Sequence, residues 1–225
     1  MKKFAIGMLI FPDLTILDLT GPYDVFIRAS CFEVYIVGEH TQLIKAEGGF
    51  SIKPDYSFDD CPLVDILFVP GGKGITPLLT NKTYHHFLQK LAVGAQYITA
   101  VCTGALLLAA AGLLAGYKAT THWRSLELLK MFGVEAIEQR VVKDRNRITG
   151  GGITAGIDFG LTLTALIGGE SMAKTVQLLL EYNPEPPFES GLPQTAEPDI
   201  LAMAMSITQP LFETRRAIIQ QITYT

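Results

Sequence analysis

The sequence predicts an α/β fold, a doubly wound, mostly parallel sheet with helices on both faces. Short apolar runs recur between turn residues, at 4–11, Phe32–Val37, Ile66–Val69 and Tyr97–Val101. They are nearly continuous in apolar character rather than alternating, which suits strands of a parallel sheet covered on both faces. Segments of helical character lie between them, at about 21–29, 77–92 and 103–115, and strands alternating with helices are the mark of this class.

The first run sits in a start, MKKFAIGMLIF, that faintly imitates a secretory leader. Its apolar part ends at Pro12-Asp13 with no small-residue cleavage site, so it reads as a first strand and the protein as cytoplasmic. The stretch from Phe11 to Pro22 leads into the first helix, and Asp18 stands near its start. An acid there is stabilised by the helix dipole whatever else it does. Cys31 opens the second strand and reads as packing, whereas Cys61 precedes Pro62 in a polar turn. The third strand ends in Val69-Pro70-Gly71-Gly72, where glycine lets backbone N–H groups approach a ligand, although Pro-Gly-Gly is more often a plain turn. The fourth strand runs into Cys102.

A hairpin is expected next, with arms at 140–143 and 147–149 around Asp144-Arg145-Asn146, followed by Gly150-Gly151-Gly152. A long helical stretch breaks at Gly168-Gly169, regular structure ends in the Pro-rich segment from Glu181 to Pro187, and 199–221 reads as a terminal helix. The 225 residues fit one domain over 1–225, since too little chain follows the Pro-rich segment for a second.

Composition narrows the function classes. The net charge is −4 and no Lys/Arg run is present, which argues against nucleic-acid binding. The longest apolar run, 105–117, is too short for a membrane span. Three cysteines and four histidines lie at no metal-ligand or redox-pair spacing. No metal or other cofactor is therefore expected, and the partner is a small-molecule substrate. The mean hydropathy of +0.30 is high for a soluble monomer and points to a homodimer.

Cys102 sits where a predicted strand meets a predicted helix, among the small residues Ala100, Thr103, Gly104 and Ala105. Ligands of open parallel sheets bind at the carboxyl ends of strands. The helix start is expected to favour the thiolate and lower the pKa of Cys102. The N–H of Thr103 can point at developing charge, as in a nucleophile elbow. Taken alone, the residue reads equally well as a small buried hydrophobe. His122, in Thr120-Thr121-His122-Trp123, reads more readily as a packing residue than as part of the site, and Gly150–Gly152 with Ile153 as a close-packed wall of a pocket.

Several stretches together resemble the ThiJ/PfpI superfamily of class I glutamine-amidotransferase-like proteins, and within it the isonitrile (isocyanide) hydratases. They are Phe11-Pro12 through Asp18-Leu19-Thr20-Gly21-Pro22, Val69-Pro70-Gly71-Gly72, Val101-Cys102-Thr103-Gly104-Ala105 with Ala109-Ala110-Ala111-Gly112-Leu113-Leu114, Ala119-Thr120-Thr121-His122-Trp123, and Gly151-Gly152-Ile153-Thr154-Ala155-Gly156-Ile157-Asp158. The resemblance implies a flavodoxin-like three-layer sandwich, a cysteine elbow, and a homodimer with the cysteine near the subunit interface. Many members carry a glutamate where this chain has Asp18 and a histidine where it has Thr103, which points away from protease, glutaminase, glyoxalase or deglycase activity. What it implies instead is a lyase that adds water to an isonitrile. Cys102 is then the nucleophile, Asp18 the proton donor, and the N–H groups of Gly72 and Thr103 hold charge or water. No Lys or Arg obviously lines the site, so a neutral, apolar substrate is expected.

Two other readings stand beside it. Domains of this type also occur as ligand sensors fused to helix-turn-helix modules, for which the chain after the Pro-rich segment is too short. An exposed, low-pKa Cys102 would alternatively suit a redox sensor.

Overall fold

The computed structural model describes residues 3–223; the first two residues of the leader-like start and the last two of the 1–225 span lie outside them. In chain order the elements are β1 (Phe4–Leu9), α1 (Ile16–Arg28), β2 (Phe32–Val37), β3 (Ile44–Lys45), β4 (Ser51–Ile52), β5 (Ile66–Val69), α2 (Ile75–Leu78), α3 (Lys82–Gly94) and β6 (Tyr97–Val101). There follow α4 (Gly104–Ala110), β7 (Lys118–Ala119), α5 (Leu126–Lys130), β8 (Glu135–Ala136), β9 (Val141–Asp144), β10 (Arg147–Gly150), α6 (Ala155–Gly168), α7 (Glu170–Leu179) and α8 (Pro198–Thr223).

Six strands form the central sheet in the order β2-β1-β5-β6-β10-β9, all parallel except the β9–β10 hairpin. β5 is buried throughout, which is why its sequence shows no alternation. The pairs β3–β4 and β7–β8 are two-residue additions outside the sheet. Helices α1, α6 and α7 pack together, α2, α3 and α5 each pack against α4, and α8 lies on α5 and the 123–125 turn. Among the described residues no helix is long and apolar enough to cross a membrane.

The α/β class and the mostly parallel sheet stand as expected; three helix boundaries differ. α1 begins at Ile16, more than a turn before Gly21-Pro22. Gly-Pro reads as a helix start because the first turn tolerates a residue with no N–H. Here Pro22 lies inside the helix and packs on α6, where a Cβ added to Gly156 would stand 2.9 Å from the Pro22 ring. Asp18 is thereby in the first turn. The stretch 77–92 divides into α2 and α3 because Asn81 caps a new helix, its side chain accepting from the N–H groups of Thr83 and Tyr84. α4 stops at Ala110, ahead of Gly112 in the left-handed conformation (φ 76°).

Candidate active site

β1, β5, β6 and β10 run parallel, so their carboxyl ends meet at one edge of the sheet. The loop after β1 leads to Asp18, that after β5 holds Gly71 and Gly72, that after β6 is Cys102, and that after β10 is Gly151 to Ile153. The register Val69↔Ala100 and Val101↔Gly150 sets these ends side by side.

Cys102 adopts a left-handed backbone (φ 52°), a conformation that costs a non-glycine residue about 1–2 kcal/mol. Its surroundings hold it there. The Cys102 N–H reaches the carbonyls of Gly150 (3.1 Å) and Gly151 (2.8 Å), and its own carbonyl accepts from the Thr121 hydroxyl at 2.7 Å. Gly104, the next residue but one, packs so closely on the Val69 and Pro70 carbonyls that any Cβ would overlap them. The turn aims the sulfur at Asp18.

The Asp18 side chain is fully buried. Oδ2 accepts from the Gly71 N–H at 3.1 Å, while Oδ1 has no hydrogen-bonded N or O among the described residues. The Cys102 thiol stands against the same carboxyl. Gly71 makes the approach possible, since a Cβ there would lie 2.6 Å from the Thr103 nitrogen and 2.8 Å from Asp18 Oδ2.

Burial sets the electrostatics. It raises the Asp18 pKa to about 7, and the contacts with Cys102 and the Gly71 N–H only partly oppose it. The Cys102 thiol is also pushed up, first by burial and then by the negative charge of Asp18; the Thr103 N–H and Arg215 pull the other way. The expectation that the helix start lowers the thiol is thus corrected. α4 spans 7 residues, and its favourable end is outweighed by loss of water around a sulfur that is 5% exposed.

Cys102 opens into a cavity of about 150 Å³ that Gly72, Thr103, His122 and Ile153 also line. Gly72 is there, but its N–H donates to the Thr103 hydroxyl at 3.0 Å, so that amide is not free to hold substrate charge. His122 is the cap of the 123–125 turn, with Nδ1 accepting from the Arg124 N–H at 3.3 Å. Burial, and then Arg215, lower its pKa, which keeps the ring neutral. Its ring packs on Gly152, where a Cβ would stand 2.9 Å from it.

The far wall comes from α8, with Thr208, Leu211, Phe212 and Arg215. Basic residues do line the cavity, contrary to the sequence expectation: Lys73, Arg124 and Arg215. Lys73 is paired with Glu47 (2.7 Å), and Arg124 lies over the Phe212 ring at 3.8 Å. Arg215 is 5% exposed and donates to the Gly72 carbonyl (2.7 Å) and the Thr76 hydroxyl (2.9 Å). The available sequence signal was a charge on an otherwise inward-facing helical stripe, at 208, 211, 212, 215 and 219.

A model of the DJ-1/PfpI family matches residues 5–166. An isonitrile hydratase from Pseudomonas putida is 44% identical over 96% of this chain and 95% of its own. The regulator GbdR of Pseudomonas aeruginosa, described as an HTH-type transcriptional regulator, is 32% identical over 79% of this chain, which spans half of the regulator. Among solved structures, a THiJ/PfpI family protein from Pseudomonas syringae superposes with a TM-score of 0.94 at 38% identity, covering 97% of this chain and 91% of that one.

Proposed function

We propose that this chain, which belongs to the DJ-1/PfpI family, is an isonitrile hydratase. In this reading it adds water to R–N≡C to give the N-substituted formamide, with Cys102 as nucleophile and Asp18 as proton carrier. The observation that most supports it is the buried Asp18–Cys102 contact, with Oδ1 of Asp18 otherwise unpartnered. The P. putida relative lends the activity.

The protons balance as follows. At neutral pH the thiol holds its proton and Asp18, at about 7, is poised between its two forms. Asp18 takes the thiol proton, sulfur bonds to the terminal carbon, and Asp18 passes the proton to that carbon, giving a thioimidate, Cys102–S–CH=N–R. The ionised carboxylate then draws a proton from water as its oxygen adds to the same carbon, and nitrogen gains a proton. The C–S bond breaks, the formamide leaves, and sulfur recovers its proton. The Thr103 N–H, which donates to the sulfur, steadies the charge there. The apolar wall of Ile153, Leu211 and Phe212 suits a neutral R group. No step calls for a metal or organic cofactor.

The reading takes the chain as one cytoplasmic domain over 1–225 acting as a homodimer. Exposed apolar side chains such as Leu17, Leu166, Leu178 and Ile207 support the dimer, and a single monomeric species in sedimentation at micromolar concentration would remove it. The GbdR relative favours a second reading, a ligand-sensing protein without turnover. Redox sensing is less favoured, because a thiol pushed up by burial holds little of the oxidisable thiolate. Incubating the purified protein with a simple isonitrile, and in parallel with methylglyoxal, tests the reading: N-alkylformamide appears from the first. Absence of formamide from any of a set of small isonitriles retires the hydratase.

A further inference from the structure

Arg215 is a buried cation that the reaction above does not use. Taking a guanidinium out of water is costly unless an anion or a full set of acceptors receives it. Its two hydrogen bonds go to neutral acceptors, the Gly72 carbonyl and the Thr76 hydroxyl. Among the described residues no carboxylate stands within ion-pair distance of it. Burial accordingly lowers its pKa to about 10, and the negative charge of a Cys102 thiolate opposes that shift.

The other charged groups around the thiol have different duties. Asp18, from α1, disfavours charge on the sulfur, and Glu47 adds its negative charge to Asp18. His122 is kept neutral. Lys73 is tied to Glu47 at the mouth, and Arg124 is held on α8 by the Phe212 ring and the Thr208 hydroxyl. Arg215 is left as the buried positive charge facing the nucleophile. It comes from α8, beyond the residues 5–166 that the family model matches.

We propose that Arg215 is a positioning residue for Cys102: its guanidinium balances the negative charge that appears on sulfur when Asp18 takes the thiol proton, and its bond to the Gly72 carbonyl fixes α8 over the site. In that step the S–H bond breaks, an O–H bond forms on Asp18, and the electron pair stays on sulfur. The inference rests on the Cys102–Asp18 chemistry proposed above, but not on the electrophile being an isonitrile.

The test is alkylation of Cys102 in the full chain by neutral iodoacetamide and anionic iodoacetate between pH 6 and 9, with the labelled cysteine identified by peptide mapping. Arg215→Met should lower the iodoacetate-to-iodoacetamide rate ratio about tenfold and move the pH profile up by about one unit, the scale of one buried charge near another. Arg215→Lys should recover the ratio to within about threefold, and Thr76→Val, which keeps the charge, should leave it unchanged. Should Arg215→Met not fold, Arg215→Gln carries the same expectation. An unchanged ratio and profile in a folded, uncharged variant overturns the proposal, as does a lysine variant no better than methionine. If the ratio responds but the parent forms no formamide, the hydratase reading fails and the role of Arg215 stands. If formamide forms and the ratio is indifferent to position 215, Arg215 alone is retired.

Discussion

Asp18, Gly71, Cys102 and Thr103 are buried and stand on or beside the ends of neighbouring parallel strands. Thr208, Leu211, Phe212 and Arg215 face them from α8, a helix most of whose other residues are in solvent. The first group is placed by sheet register and by glycines that admit no Cβ, so it has no freedom to slide. The second is placed by one helix resting on α5 and the 123–125 turn. The proposed bond making belongs to the first group, while access, substrate fit and balancing charge belong to the second. Substitutions in the floor should therefore act on kcat, and those of the apolar wall residues Leu211 and Phe212 on KM, while Arg215 acts through Cys102.

The largest effect should come from Cys102→Ser, which keeps the shape but removes the sulfur nucleophile. Formamide production should fall by roughly 10⁴-fold or more, as when a covalent nucleophile is removed elsewhere. Residual activity within a hundredfold of the parent would place the nucleophile elsewhere.

Asp18→Asn should lower turnover by roughly 10²–10⁴-fold, because an amide carries no proton between thiol and carbon. Alkylation of Cys102 should persist, since the variant also removes the negative charge that opposes the thiolate. The pH behaviour sharpens the point. Asp18 accepts the thiol proton only when ionised, so kcat/KM of the parent should rise with pH through about 7. Stability runs the other way. The folded pKa is raised from 3.8 to about 7, so folding takes up a proton in that window and the ionised group costs stability above it. The Asn variant should melt several degrees above the parent at pH 8, a gap that closes near pH 4. Equal melting temperatures at both pH values would show that Asp18 does not titrate in that window.

Gly71→Ala tests the crowding of the floor. Its Cβ would press on the Thr103 nitrogen and on Asp18 Oδ2, and a displacement of that order costs about 10²-fold in kcat. An unchanged kcat would show that the floor yields. The smallest effect is expected in the wall: Phe212→Ala should raise KM about tenfold through lost apolar contact, with kcat within about threefold. A fall in kcat alone would merge wall and floor into one machine.

Much of this was legible in the chain. The runs Ile66–Val69 and Tyr97–Val101 are strands at the bounds expected, because a strand buried on both faces writes its length as uninterrupted apolar residues. The pairing of Asp18 with Cys102 was expected only from the family resemblance, and the parallel sheet realises it by bringing the ends of β1 and β6 to one edge. Other features were misread for local reasons. Gly21-Pro22 looked like a helix start, and packing of Pro22 on Gly156 overrode it. Gly72 looked free to donate, and the Thr103 hydroxyl, 31 residues away in the chain, takes its N–H.

The sequence by itself determined the alternation of strands and helices, the crowded small-residue turn around Cys102, and the positions of the loops at the strand ends. Each of these depends on residues adjacent in the chain. Only the tertiary structure decided that Asp18 titrates near 7, that the Cys102 thiol is raised rather than lowered, and that Arg215 of α8 shares their cavity. Burial is a sum over distant segments closing on one point, and the cost of charge there depends on how much water they exclude together. No neighbouring residue in the chain records that sum.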